Sequence, residues 1–445
     1  MESTGTKTMT AIDRRLFLRG TASAFAALVA SGCSVRGGPV GSASALYGPL
    51  HSDPAGILDL PTGFSYRVIS RLGDAMTDGG RVPDRGDGMG CFQLPGGKIA
   101  LVRNHELMPT EDRGGTVARG YDVLNGAAGE YLPGGTTTIV LDARTLEVER
   151  QFRSLAGTIR NCAGGITPWG SWLTCEEFVA KAGGNLGRDH GYVFEVPADA
   201  TGPVEAVPLK DMGRFNHEAA CVDPVSGMVY LTEDRENGLL YRFTPNVRGR
   251  LAEGGKLQAL ALNNGDSRNW GGGPPVNVSQ WYNARWVDIA RPNSNADDLR
   301  EQGAARGATL FARGEGIWMG EGELYFVCTS GGAAKLGQIF RLQPQVGGGD
   351  RLQLFFESSS IEQFNFGDNL TIGPNGHLVV CEDQYTDVVD NHLRGITPDG
   401  VAYPLARLKL QTEFAGACFS PDGKTLFVNA YDPTTTFAIT GPWVS

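Results

Sequence analysis

Carboxylates recur in this chain at two kinds of place, in front of small residues and at the ends of apolar strands. Six segments share the pattern: Asp87–Glu106, Asn161–Glu177, Glu218–Asp234, Glu315–Ser330, Asp368–Asp383 and Glu413–Asp432. Each opens on a polar or acidic residue and continues through small and apolar residues to a Pro/Gly turn. An apolar strand follows and usually ends on an acid. If the segments are related by rotation, Asp87, Asn161, Glu218, Glu315, Asp368 and Glu413 form one ring. Glu106, Cys175, Glu176, Glu177, Glu233, Asp234, Glu382 and Asp383 form a second set at the strand ends. Gathered carboxylates repel one another and raise one another's pKa unless cations hold them. Hard cations such as Ca²⁺ take six to eight oxygen ligands, whereas a thiolate suits a transition metal. Cys175 beside Glu176 therefore points to iron or a similar ion next to calcium. Arg313 and Arg214, just before Glu315 and Glu218, are placed either to grip a phosphate bidentately or to pair with ring carboxylates. His105 and His217 lie at no zinc-ligand spacing and read as structural or supporting groups.

The elements that must position these groups are short strands separated by Gly, Pro and Asp turns, such as Ile99–Val102, Thr137–Leu141, Tyr192–Val196 and Leu239–Phe243. Repeats of this size in an all-β pattern close into a ring, so the expected fold is a six-bladed β-propeller occupying residues 57–445. Two connections are too long for a plain blade, at about 107–135 and 251–310. The second carries Trp270, Trp281, Tyr282 and Trp286 and is expected to cap one face. Short helices are expected at Asn295–Gln302 and within the first insertion.

Composition bounds the function. With 445 residues, 63 of them Gly, the chain is globular and turn-rich, and a net charge of -10 without a basic run excludes nucleic-acid binding. Residues 1–33 read as an export leader. Arg14-Arg15-Leu16-Phe17-Leu18-Arg19 resembles the twin-arginine consensus, and the apolar stretch Ala22–Ala30 is too short for a stable membrane span. Ala30-Ser31-Gly32-Cys33 resembles a lipobox, which would tether the product through Cys33; Ala43-Ser44-Ala45 is the alternative release site. The reading is export to the periplasm or beyond, through the twin-arginine translocase, with residues 34–56 as a flexible tether. Seven cysteines remain after Cys33, an odd number without zinc-ligand spacing.

An ordered series of motifs resembles the PhoX-type alkaline phosphatases. The series runs Leu60-Pro61-Thr62-Gly63-Phe64, Asp87-Gly88-Met89, Arg103-Asn104-His105-Glu106, Thr174-Cys175-Glu176-Glu177 and His190–Val196. It continues through Gly213–Glu218, Arg313-Gly314-Glu315-Gly316 and Asp368-Asn369-Leu370. The resemblance implies a six-bladed propeller with an iron pair and several calcium ions at the channel mouth, hydrolysing small phosphate esters. Carried across motif by motif, it makes Cys175 an iron ligand and Glu218 and Glu315 further metal ligands. It places Glu106, Glu176 and Asp368 or Asn369 in the calcium shell, and Arg313 on the phosphate. Glu413, at the start of its repeat, joins the metal-binding set. The chain departs from the family where Ala430-Tyr431-Asp432-Pro433 replaces a Gln-His-Pro and where Gly314 follows Arg313 in place of Pro. Two other functions fit the same ring: a calcium-dependent propeller hydrolase of lactones or esters, and a non-catalytic propeller that calcium stiffens into a binding platform.

Overall fold

The computed structural model describes residues 46–124, 130–270, 274–345 and 347–443. The leader, Cys33 and residues 34–45 of the tether lie outside them. Six antiparallel sheets form the fold. Their innermost strands are Gly86–Leu94, Asn161–Ile166, His217–Val222, Gly314–Met319, Gly367–Ile372 and Phe414–Phe419. Each inner strand touches the next, and the last touches the first, so the six blades close a circle around one axis. The chain is a six-bladed β-propeller.

Closure uses the two ends of the domain. Ser65–Arg71 is the outermost strand of the sixth blade, paired antiparallel with Thr435–Thr440. A strand from the start of the ring thus completes the four-stranded blade at its end. Met89, Leu101, Ile139 and Leu141 of the first blade pack on Cys418, Phe427 and Ala438 of the sixth in one apolar cluster. Each such large side chain contributes about 1.5–3 kcal/mol on burial.

The tether is shorter than expected. Leu50–His51 pairs with Leu58–Pro61, and that strand adds to the outer edge of the fifth blade. Tyr47 stacks edge-on against Phe64 and Trp443. Apolar residues in a Gly/Ser-rich stretch supplied this docking.

The insertions also differ from expectation. Arg285–Asp288 extends the third blade and Trp281–Asn283 extends the fourth, so 251–310 runs along the outer rim between them. Trp281 and Trp286 lie under arginines there, with Arg341 and Arg351 over the first and Arg242 over the second. Cation–π contacts and rim packing hold them there. The insertion reaches the acidic face at two places: Arg268 and Trp270 donate to Glu236 O and Ser330 O, and further on Arg214 Nη1 donates to Ser294 O and Arg300 meets Glu233. The helix expected at Asn295–Gln302 is Leu299–Ala304. Among the described residues of the first insertion there is none.

The inner strands approach so closely that side chains are excluded at fixed points. A Cβ on Gly88 would stand 2.5 Å from Ala163 Cα, and one on Gly316 would stand 2.6 Å from Asn369 Cα. Both contacts are to backbone of the next blade, which cannot give locally. Gly88→Val is therefore expected to force the first two blades apart and destabilise the ring by about 1–3 kcal/mol or more. A thermal melt within a degree of wild type would contradict this.

Candidate metal centre

A repeated irregularity aims the acids at the axis. In five blades two residues of the inner strand oppose one residue of the second strand. The doubled pairs are Asp87-Gly88, Cys162-Ala163, Glu218-Ala219, Glu315-Gly316 and Asp368-Asn369. A bulge of this kind turns a strand and redirects a side chain. In each pair the first residue carries a ligand group, and in four of the five the second is Gly or Ala, as the close inner strands require. The sixth blade has its bulge between Ala415 and Cys418 and offers no ligand there.

A second ring follows from six equivalent backbone hydrogen bonds. The N–H groups of Glu106, Glu177, Asp234, Thr329, Asp383 and Tyr431 donate to the carbonyls of Arg85, Arg160, Asn216, Arg313, Phe366 and Glu413. Each bond ties the residue after a second strand to the residue before an inner strand. The acid one step earlier in the second strand points the other way, because side chains alternate along a strand. Glu176 accepts from the N–H groups of Ile159, Gly191 and Tyr192 and from His190. Glu233 accepts from Leu239 N–H and Tyr241 O–H, and Glu382 from Asn365 and His392 N–H and Arg394 Nε. In each Glu-acid pair the first carboxylate braces the blade and the second faces the axis.

Three overlapping groups of ligand atoms, each within 4.8 Å of one another, result: Asp87 with Glu106 and Cys162, Cys162 with Glu177 and Glu218, and Glu218 with Glu315 and Asp368. Cys162 links the first two groups and Glu218 the last two, so the groups form one continuous arc. The thiol in this arc is Cys162, which lies 3.5 Å from Asp87 Oδ2. Cys175, the expected metal ligand, is the residue opposed by the Cys162-Ala163 bulge. Its side chain packs among Leu173, Val193, Phe215 and Leu231 in an apolar cluster. The sequence pattern Cys-Glu-Glu suggested otherwise because register within a strand cannot be read without the bulge. Glu176, likewise expected as a ligand, has its oxygens engaged by the bracing bonds above.

The other expected ligands divide. Glu106, Glu218, Glu315 and Asp368 lie in the arc. Asn369 instead bridges blades, with Nδ2 on Asp368 Oδ1 at 3.0 Å and Oδ1 accepting from Gly416 N–H at 2.5 Å. Glu413 occupies in the sixth blade the position that Arg313 holds in the fourth, and couples to Asp383. Arg313 bridges Asp234 and Glu315. Arg214 is buried away from the axis on the carbonyls of Ala180 and Ser294. The motif reading missed Cys162 and Arg160 outright, and it set Asp87 and Glu177 near the axis without naming them ligands. The available signal was the small residue after each bulge acid.

The electrostatics test whether cations fit. Nine carboxylates converge here: Asp87, Glu106, Glu177, Glu218, Asp234, Glu315, Asp368, Asp383 and Glu413. Burial, then the neighbouring carboxylates Glu315, Asp368 and Glu177, push Glu218 well above the usual range. Asp87 and Glu413 shift the same way, also through burial first and like charge second. Asp368 is raised to about 8. Both carboxylate oxygens of Glu218, and one each of Asp87 and Asp383, are buried without a hydrogen-bond partner. Buried oxygens without donors are what a cation satisfies. The donor set, carboxylate oxygens with one thiol, fits hard cations beside a softer ion. Below the arc the axis narrows to a cavity of about 20 Å³, room for a single water, lined by Gly88, Ala163, Ala219, Gly316 and Trp318 among others. Access to the arc is therefore from the acidic face.

The raised carboxylates set a pH dependence for metal-free protein. A carboxyl whose folded pKa lies above its unfolded value binds more protons when folded, so its contribution is present at low pH and lost as pH rises through the folded pKa. Metal-free protein is expected to lose melting temperature between about pH 4, the unfolded carboxylate range, and about pH 8, the Asp368 value. Glu218→Gln should flatten that loss. A melting temperature that rises across this window would refute the assignment. Metal content separates the two cysteines: Cys162→Ser should lose bound transition metal, whereas Cys175→Ala should keep it and lose only about 1–2 kcal/mol of packing.

The chain matches the family model of alkaline phosphatase PhoX over residues 45–434. No curated protein matches it. Among solved structures, Pseudomonas fluorescens PhoX in complex with vanadate, a transition-state analogue, is similar at a TM-score of 0.68 and 17% identity, covering 88% of this chain and 97% of that one. A gluconolactonase from Xanthomonas campestris aligns at a TM-score of only 0.35 and 12% identity, over 81% of this chain and 97% of its own. The family match spans every blade and both ring sets, and the chain belongs to the PhoX family of alkaline phosphatases.

Proposed function

We propose that this phosphatase is an exported enzyme that hydrolyses phosphate monoesters at the axial arc, with calcium and iron as its ions. The observation that carries the reading is the fully buried Glu218 carboxylate, both oxygens bare, shared between two of the three ligand groups. Asp87, Glu106, Glu177, Glu218, Glu315 and Asp368 would hold the ions, with Cys162 as the soft donor. Bound there, such ions supply positive charge to neutralise a phosphoryl group and to make water acidic enough to act near neutral pH. No Ser or Cys nucleophile is then needed.

The protein's own residues have defined tasks. Arg313 stands at the mouth with its side chain 29% exposed. Its Nε and Nη2 are engaged by Asp234 and Glu315, which fix the plane of the guanidinium. A phosphate arriving from the acidic face meets a fork already oriented, so little side-chain entropy is lost on binding. Asn216 holds Glu177 through Nδ2 at 2.8 Å, and Tyr431 O–H donates to Glu106 at 2.5 Å. These bonds set the carboxylates before any ligand enters. The apolar channel below keeps bulk water from the far side, which strengthens every charge interaction in the arc.

The place of Cys162 favours this reading over an all-oxygen calcium hydrolase of lactones. A calcium-only site has no use for a thiol shared by two ligand groups. Among the described residues no helix is long and apolar enough to cross a membrane. The proposed leader, release through the twin-arginine route and a lipid on Cys33 rest on the sequence motifs alone.

Protein exported by its native route should release p-nitrophenol from p-nitrophenyl phosphate, lose that activity to a chelator, and contain iron as well as calcium. Glu218→Gln should lower kcat by roughly 100-fold or more, the scale of one preorganised electrostatic contact. Calcium without iron in active protein would favour the lactone reading. Metal-replete protein inert on every phosphoester would defeat the proposal.

A further inference from the structure

The six equivalent positions before the inner strands hold Arg85, Arg160, Asn216, Arg313, Phe366 and Glu413. Arg160 and Arg313 are alike in each respect that bears on ligand binding. Both sit in the left-handed backbone region, with φ 45° and 51°. A non-glycine residue pays about 1–2 kcal/mol to be there, and the shared backbone bond to the second strand holds it. Each guanidinium uses Nε and Nη2 on axial carboxylates. Arg160 spans Glu106 and Glu177, and Arg313 spans Asp234 and Glu315. In both, Nη1 has no protein partner among the described residues. Their side chains are 34% and 29% exposed, toward the one open face of the arc.

Their blades flank the third blade, which carries Glu218. The inner strands of the second and fourth blades both touch that of the third and also approach each other. A phosphoryl group seated over Glu218 therefore has a guanidinium on either side. Arg85 does not share this geometry. Its Nε goes to Glu111 and its Nη1 to Tyr431 O–H, one blade further from Glu218. Arg214 is buried with its donors on backbone carbonyls.

We propose that Arg160 is a second phosphate-binding residue, gripping the phosphoryl group from the side of the arc opposite Arg313. The inference rests on the phosphatase reading and adds a residue that no motif pointed to. Phosphoryl transfer spreads charge over three equatorial oxygens, and two forks on opposite flanks can meet two of them while a cation meets the third. The spare Nη1 donors are the groups left to do so.

The test measures binding of inorganic phosphate to metal-replete protein by calorimetry, with metal content determined on the same samples. Arg160→Gln is expected to weaken phosphate binding roughly 10- to 100-fold, the range of lost charge-assisted hydrogen bonds, with metal content unchanged. Arg160→Lys keeps the charge but not the fork and should recover part of the affinity and keep the KM for p-nitrophenyl phosphate below that of Arg160→Gln. Unchanged phosphate affinity in Arg160→Gln would overturn the proposal. So would a loss of metal large enough to account for the weakening, since Arg160 would then only hold Glu106 and Glu177. Wild-type protein that carries its metals and binds no phosphate would instead overturn the phosphatase reading itself.

Discussion

Like charge at close range governs this molecule. Two carboxylates about 4 Å apart repel by roughly 4 kcal/mol at the effective dielectric of a protein interior, and here nine share one axial region. Arg160 and Arg313 offset part of that repulsion, but among the described residues Glu218 has no cationic neighbour in contact and no hydrogen bond on either oxygen. The arrangement persists only where the carboxylates are protonated or cations are present. Every other feature can be understood as serving that constraint. The bulges bring the acids in, the glycines let the inner strands close, and the bracing glutamates keep the strand ends from moving apart.

The bracing glutamates show how one residue type serves two ends. Glu176, Glu233 and Glu382 each accept backbone N–H groups and a side chain from the segment that follows, while Glu177, Asp234 and Asp383 next to them face the axis. Strand alternation alone makes the division. Adjacent residues of the same chemistry thus have different tasks, one a strut that braces the blade and one that faces the axis.

Closure by Ser65–Arg71 gives the ring its rigidity. Ligands from five blades must keep their relative places to within a fraction of an ångström for a polynuclear site to form, and a ring with a free edge would breathe at the seam. The polar seam between the first and sixth blades adds to this. Arg103, fully buried, donates across it to Thr436 and Ser70 and within its own blade to Thr137. The guanidiniums at the mouth are held on this frame by the carboxylates they span.

The repeat pattern, the blade count, the acids at repeat starts and the family motifs were legible in the residues, because composition and period survive in one dimension. So were Glu106, Glu218, Glu315 and Asp368 as ligand candidates. What the one-dimensional pattern could not carry was direction. Cys175 and Cys162 are both buried cysteines in strands of the second blade, and a single extra residue at the bulge decides that one points to the axis and the other to the apolar core. Glu413 looked like a sixth ring acid, yet pairing places it where other blades carry arginine. Arg160 carried no motif at all, and only the superposition of equivalent backbone bonds set it beside Arg313. Side-chain direction depends on register between strands far apart in the chain, and register is a property of the closed ring.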